Sequence, residues 1–128
     1  VSQISQIPLI RQKIVEMQQN IGREKGVVME GRDIGSVVFP EAELKLFITA
    51  SLEVRVQRRH SELIGLGLNS SVDEVLYNLK MRDSEDSNRQ DSPLIMVKDA
   101  ILIDNSLLSI EDQLNFVLEL IKKRSNFI

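Results

Sequence analysis

Gly26-Val-Val-Met-Glu-Gly-Arg-Asp-Ile-Gly35 decides how the rest of the chain is read. Val27, Val28 and Met29 form a short apolar run, which predicts a strand over 27–30 covered on both faces, as in a parallel sheet. Gly31 and Gly35 flank the turn beyond it, because glycine accepts backbone angles that other residues resist. Glu30, Arg32 and Asp33 emerge where strand gives way to turn. In open α/β sheets ligands are held at the carboxyl edge of the strands, so chemistry is expected at this junction. An ordinary strand exit with three solvated charges is the alternative reading of these ten residues.

The whole chain bounds what that junction can serve. Its 128 residues make one domain at most, with enough chain to bury a core. Hydrophobic residues are 42% and charged residues 27%, a balance that excludes both disorder and a membrane-embedded chain. Sixteen Lys and Arg against nineteen Asp and Glu leave a net charge of −3, which argues against a general nucleic-acid surface and makes any anion site local. There is no cysteine and only one histidine, His60, so a thiolate metal site and a histidine cluster are both excluded. No apolar run is long enough to span a membrane and no signal-peptide pattern opens the chain, so a cytoplasmic address is expected. The chain starts at Val1 rather than Met, which suggests a piece of something longer.

Outward from the junction, the pattern alternates helix and strand. Pro8 suits the first turn of a helix, with Ile10, Ile14, Met17 and Ile21 as its buried line and Gly22 near its end. Phe39-Pro40 and Glu41-Ala42 read as a turn before a second strand at 44–48, interrupted by Lys45. Ser51 caps the next helix, with Glu53 in its first turn. Arg55 to His60 is the most basic segment of the chain. It is either a solvated face or, through Arg58 and Arg59, the mouth of a phosphate site, since guanidinium groups bind phosphate oxygens in pairs. His60 is the chain's one histidine and is given no chemistry.

Gly65, Gly67 and Asn69-Ser70 mark a connection, and Ser71-Val-Asp-Glu74 is a capping box that opens a long helix. Its buried stripe, Val72, Val75, Leu76 and Leu79, continues at helical spacing into Arg82, Asp86 and Arg89. A core-facing surface thus turns charged, unless the last turns simply leave the domain. Ser92-Pro93 ends this helix. A third strand is predicted at 100–104, with Asn105-Ser106 as its exit turn. Ser109 then caps a last helix whose positions 110, 114, 117, 118 and 121 line one face. This order gives an α/β fold with parallel strands at 27–30, 44–48 and 100–104 and helical crossovers.

Four elements together carry a family resemblance: Glu30-Gly-Arg-Asp-Ile-Gly-Ser-Val-Val-Phe-Pro40, the Arg58-Arg59 pair, Arg82-Asp-Ser-Glu-Asp-Ser-Asn-Arg89 and Pro93-Leu94. The chain resembles the bacterial cytidylate (CMP/dCMP) kinases over essentially its whole length. The resemblance implies one partial kinase domain over 1–128, part of a P-loop nucleoside monophosphate kinase with a three-layer α/β/α fold. This piece would hold the acceptor side, the lid and the C-terminal helix. The chain contains no G-x-x-x-x-G-K-[ST], so the ATP phosphate cradle is expected upstream.

As the resemblance implies, the activity is phosphoryl transfer from ATP, with Mg2+, to CMP or dCMP. Ser2, Arg11 and Asp33 would read the base, Arg82 and Asp86 would hold the ribose, and Arg32 and Arg89 the CMP phosphate. Arg58 and Arg59 would belong to the lid over ATP, and Arg32, Arg58 and Arg89 would take the catalytic roles. Glu30 would meet the metal through water. It stands where the family usually has Asp, and Ser36 where it usually has Thr. Two alternatives stand beside the enzyme: a catalytically silent nucleotide-binding fragment, and another small-molecule kinase of the same fold. An adenylate or shikimate kinase would not carry both charged segments. Neither nucleic acid nor a membrane is expected as partner, and the chain is expected as a monomer or completed by its N-terminal portion. The family's strand order puts the P-loop strand between 27–30 and 44–48, which would then stand roughly 9–10 Å apart. Such a chain alone is expected to be unstable, rearranged or completed by another polypeptide.

Overall fold

The computed structural model describes residues 3–4, 7–89 and 93–124. Ser2 and Ser92, both given roles from sequence, lie outside the described residues. The described elements are α1 (Pro8–Gly22), a single π-helical turn (Ile34–Val38), β1 (Leu46–Thr49), α2 (Leu52–Gly65), α3 (Val72–Asn88), β2 (Ile101–Asp104) and α4 (Ile110–Lys123). The chain divides into two compact units, residues 1–43 with 86–98 and residues 44–85 with 99–128.

In the first unit α1 starts at Pro8, whose missing N–H costs nothing there, and ends at Gly22 as the sequence predicts. It packs on the π turn. Gln19 Nε2 donates to the Val38 carbonyl at 3.0 Å, and Val38 is the buried apolar residue among the described residues of this unit. Gly22 lies against the Phe39 ring, leaving no room there for a Cβ. The strand expected at 27–30 does not form. Lys25 and Gly26 both have left-handed backbones, φ 64° and 68°, which turn the chain immediately before Val27. No strand among the described residues pairs with 27–30, and Val28 is 100% exposed. An apolar run without a neighbour to satisfy its N–H and C=O groups is not part of a sheet, whatever its own preference.

The second unit holds the sheet. β1 and β2 pair in parallel, with Leu46 opposite Ile101, Phe47 opposite Leu102, Ile48 opposite Ile103 and Thr49 opposite Asp104. Both lie within two residues of their sequence-predicted bounds, and α2 and α3 make the crossover that a parallel pair needs. Among the described residues β1 has no second neighbour. Each helix starts at a serine cap: Ser51 Oγ accepts from Val54 N at 3.2 Å, Ser71 Oγ from Glu74 N at 3.1 Å, and Ser109 Oγ from Asp112 N at 3.0 Å. Val56, Val75 and Ile103 form the buried apolar core here. Lys45, only 8% exposed, enters it at the start of β1 and is paired with Asp99 at 2.9 Å.

The apolar stripes expected to be buried are largely uncovered. Ile10, Ile14, Met17 and Ile21 of α1 are all exposed, as are Ile110, Leu114 and Leu118 of α4 and Val72 of α3. The accessible surface is 9904 Å².

Candidate functional site

Charged residues from three distant segments meet in the first unit. Arg32 and Asp33 stand directly before the π turn, which fixes their backbone. The Asp33 carbonyl accepts from Val37 N at 2.8 Å, from Val38 N at 3.2 Å and from Ser36 Oγ at 3.4 Å. Asp86 sits in the last turn of α3, where its carbonyl accepts from Leu94 N at 2.7 Å and draws the segment after Pro93 back onto the helix end. The Arg32 Nε donates to Asp86 Oδ2 at 2.5 Å. A carboxylate in a helix's last turn faces the negative end of its dipole, and α3 carries no basic residue there. Arg32 offsets that unfavourable placement.

Arg89 lies in the field of the other members. Burial, and after it the Arg11 guanidinium, push Arg89 below the usual arginine range, with a smaller push from Arg32 and against the pull of Asp33 and Asp86. Arg11, Arg32, Asp33, Asp86 and Arg89 thus form one cluster with more positive than negative charge. The half-buried Arg11 comes from α1, a face read from sequence as either solvent or domain edge. Crowded cations held this way favour an anion between them, because each added negative charge relieves the repulsion.

Arg82, Arg58 and Arg59 lie in the second unit. Arg82 lines a cavity of about 400 Å³ between α2 and α3, together with Arg59, Leu63, Val75, Leu79 and Glu85. Arg59 Nη1 donates to Glu62 at 2.9 Å. A second cavity, about 470 Å³, is lined by Arg58, Asn105, Ser109 and Gln113 among others. Arg58 is anchored there: Nη1 donates to Asn105 Oδ1 and Nη2 to the Asn105 carbonyl, both at 2.8 Å. Asn105 Nδ2 in turn donates to Gln113 Oε1 at 2.7 Å. From sequence, Asn105 was only a turn residue. Arg55 and Asp83, which join α2 to α3, were missed altogether, because nothing local in either segment announces a partner 28 residues away.

Glu30 is exposed at the end of the 25–30 segment. Among the described residues no group of three or more His, Cys, Asp or Glu could hold a metal. Mg2+ does not need such a cage, since it keeps most of its waters and binds through one or two carboxylates together with substrate phosphates. One accessible carboxylate fits that role through water.

The family model for cytidylate kinase matches residues 1–123. The chain belongs to the cytidylate kinase family. It is 54% identical over 121 residues to the cytidylate kinase of Flavobacterium psychrophilum, covering 94% of this chain and 54% of that protein. It is 50% identical over 119 residues to that of Parabacteroides distasonis, covering 93% and 52%. To that of Caldanaerobacter subterraneus subsp. tengcongensis it is 48% identical over 125 residues, covering 98% and 56%. The chain therefore spans about half the length of the cytidylate kinases it matches. The family's α/β class agrees with the parallel β1–β2 pair and its helical crossover. No helix among the described residues is long and apolar enough to cross a membrane.

Proposed function

We propose that this chain is the acceptor side and lid of one cytidylate kinase domain, and that the protein carrying it transfers the γ-phosphoryl group of ATP to CMP or dCMP. The observation that supports this most is the cluster in which Arg32 bonds Asp86 within the field of Arg11, Asp33 and Arg89. Cytosine presents an amino donor beside ring acceptors. Arg11 would donate to the acceptors, with Ser2 assisting, and Asp33 would accept from the amino group. Uracil puts a carbonyl where that amino group stands, leaving Asp33 facing oxygen. Arg32 uses its Nε on Asp86, which leaves its two Nη groups to donate to the CMP phosphate beside Arg89. Asp86, with Arg82, would hold the ribose by accepting from a sugar hydroxyl.

Phosphoryl transfer needs little covalent help from protein. It needs positioning and neutralisation of charge on the moving group, which Arg32, Arg89 and the ATP-side Arg58 and Arg59 would supply. Mg2+ bound with ATP, held by Glu30 through water, would neutralise the phosphate oxygens. The 128 residues contain no P-loop motif, which favours a chain that binds CMP but does not turn it over by itself. Titration calorimetry of the chain with CMP, dCMP and UMP, beside a coupled kinase assay of the gene product that carries it, tests both halves. Binding of CMP in preference to UMP and transfer by the gene product are expected. Equal binding of CMP and UMP, or no transfer to either cytidine nucleotide, overturns the reading.

A further inference from the structure

Arg55, early in α2, engages its whole guanidinium. Nε donates to the Ala50 carbonyl at 3.1 Å, Nη1 to Asp83 Oδ1 at 3.0 Å and Nη2 to Asp83 Oδ2 at 2.8 Å. Both side chains are partly exposed, and ion pairs in such settings contribute little to stability. What a two-pronged pair with a third anchor supplies is orientation, which lysine cannot reproduce.

The place of the pair gives that orientation a use. α2 and α3 are joined at one end by residues 66–71, where Gly67 has φ 77°. Arg55 and Asp83 tie the other end. Between the two ends the helices leave a cavity of about 400 Å³. Arg59 follows Arg55 by one helical turn and Arg82 adjoins Asp83, and both line that cavity. Arg82 lies about 16 Å along the helix from the 66–71 joint, so a pivot of about 10° there would move it by roughly 3 Å.

We propose that Arg55 is a positioning residue: by holding Asp83 it sets the spacing of Arg59 and Arg82, and thereby the width of the cleft between α2 and α3 that carries the ATP-side Arg59 and the ribose-side Arg82. What those arginines hold rests on the kinase reading above. That α2 and α3 are clamped rests on the geometry alone, so the two can fail separately.

The chain has no cysteine, so spin labels can be placed at Gln57→Cys and Lys80→Cys, exposed positions on α2 and α3 outside the site. A narrow distance distribution is expected in the gene product. It should broaden in Arg55→Ala and in Asp83→Ala, and narrow again in the exchange Arg55→Asp with Asp83→Arg. In the kinase assay either alanine variant should lower kcat by about tenfold to a hundredfold, as misplaced groups do, and should also raise KM for CMP, since Arg82 would hold the ribose. The double alanine variant should be no worse than either single one, and the exchange should recover part of the loss. An unchanged distance distribution in Arg55→Ala, or single effects on kcat that multiply in the double variant, overturns the proposal. If the unsubstituted protein transfers no phosphate to CMP, the kinase reading falls and the label distances decide the clamp.

Discussion

Asp33 and Arg89 share one cluster but would serve different parts of a nucleotide, and substitution can separate them. In the gene product, Asp33→Ala should weaken CMP far more than UMP, whereas Arg89→Ala should weaken both. Each removes a charge-assisted hydrogen bond, about 1.5–3 kcal/mol in binding. Steady-state kinetics with the two acceptors check this, and an equal loss for both in Asp33→Ala would count against the base assignment. These residues were legible in sequence because they stand in two short charged segments. Asp86 and Arg89, moreover, lie on a stripe whose earlier positions are apolar. Arg55 with Asp83, and Arg58 with Asn105, were not legible as pairs, since their meeting depends on how α2, α3 and the β2 exit turn come together.

Helices were easier to read than strands, for a reason visible in particular residues. Ser51, Ser71 and Ser109 each accept from a backbone N–H three positions on, and Pro8 fixes its own φ, so the start of each helix is written locally. Val27 to Glu30 carries as good an apolar strand signal as Leu46 to Thr49, yet only the second has a ladder partner. The π turn at 34–38 had no local signal. Its contact with α1 predicts that Gly22→Ala is destabilising by about 1–3 kcal/mol, from overpacking against Phe39. Chemical denaturation should show this, with the loss reduced when Phe39→Leu is added. In the second unit the hydrogen bond from Lys45 is the chief cause holding the Asp99 carboxyl below its usual value near 3.8. Its contribution is present above that value and is lost as pH falls through the lower folded one. Asp99→Asn should therefore lower Tm at neutral pH and make little difference at about pH 2, as paired thermal melts would show.

For the molecule as a whole, the uncovered apolar residues of α1 and α4 predict that the 128-residue chain binds a hydrophobic dye such as anilinonaphthalene sulfonate at neutral pH and associates as its concentration rises. Fluorescence titration and sedimentation check this, and a dye-silent monomer would mean that those faces are covered in solution. The β1–β2 ladder also sets a timetable for folding. Leu46 is registered against Ile101, so the described sheet cannot begin until the chain has closed a loop of 55 residues. The capped α2 and α3, which depend on neighbours in sequence, can form before β2 has been made. On a ribosome adding about 5–20 residues per second, β1 emerges roughly 3–11 s before its partner. For that interval Leu46, Phe47 and Ile48 wait for β2, an apolar segment open to capture by a chaperone or by another nascent chain.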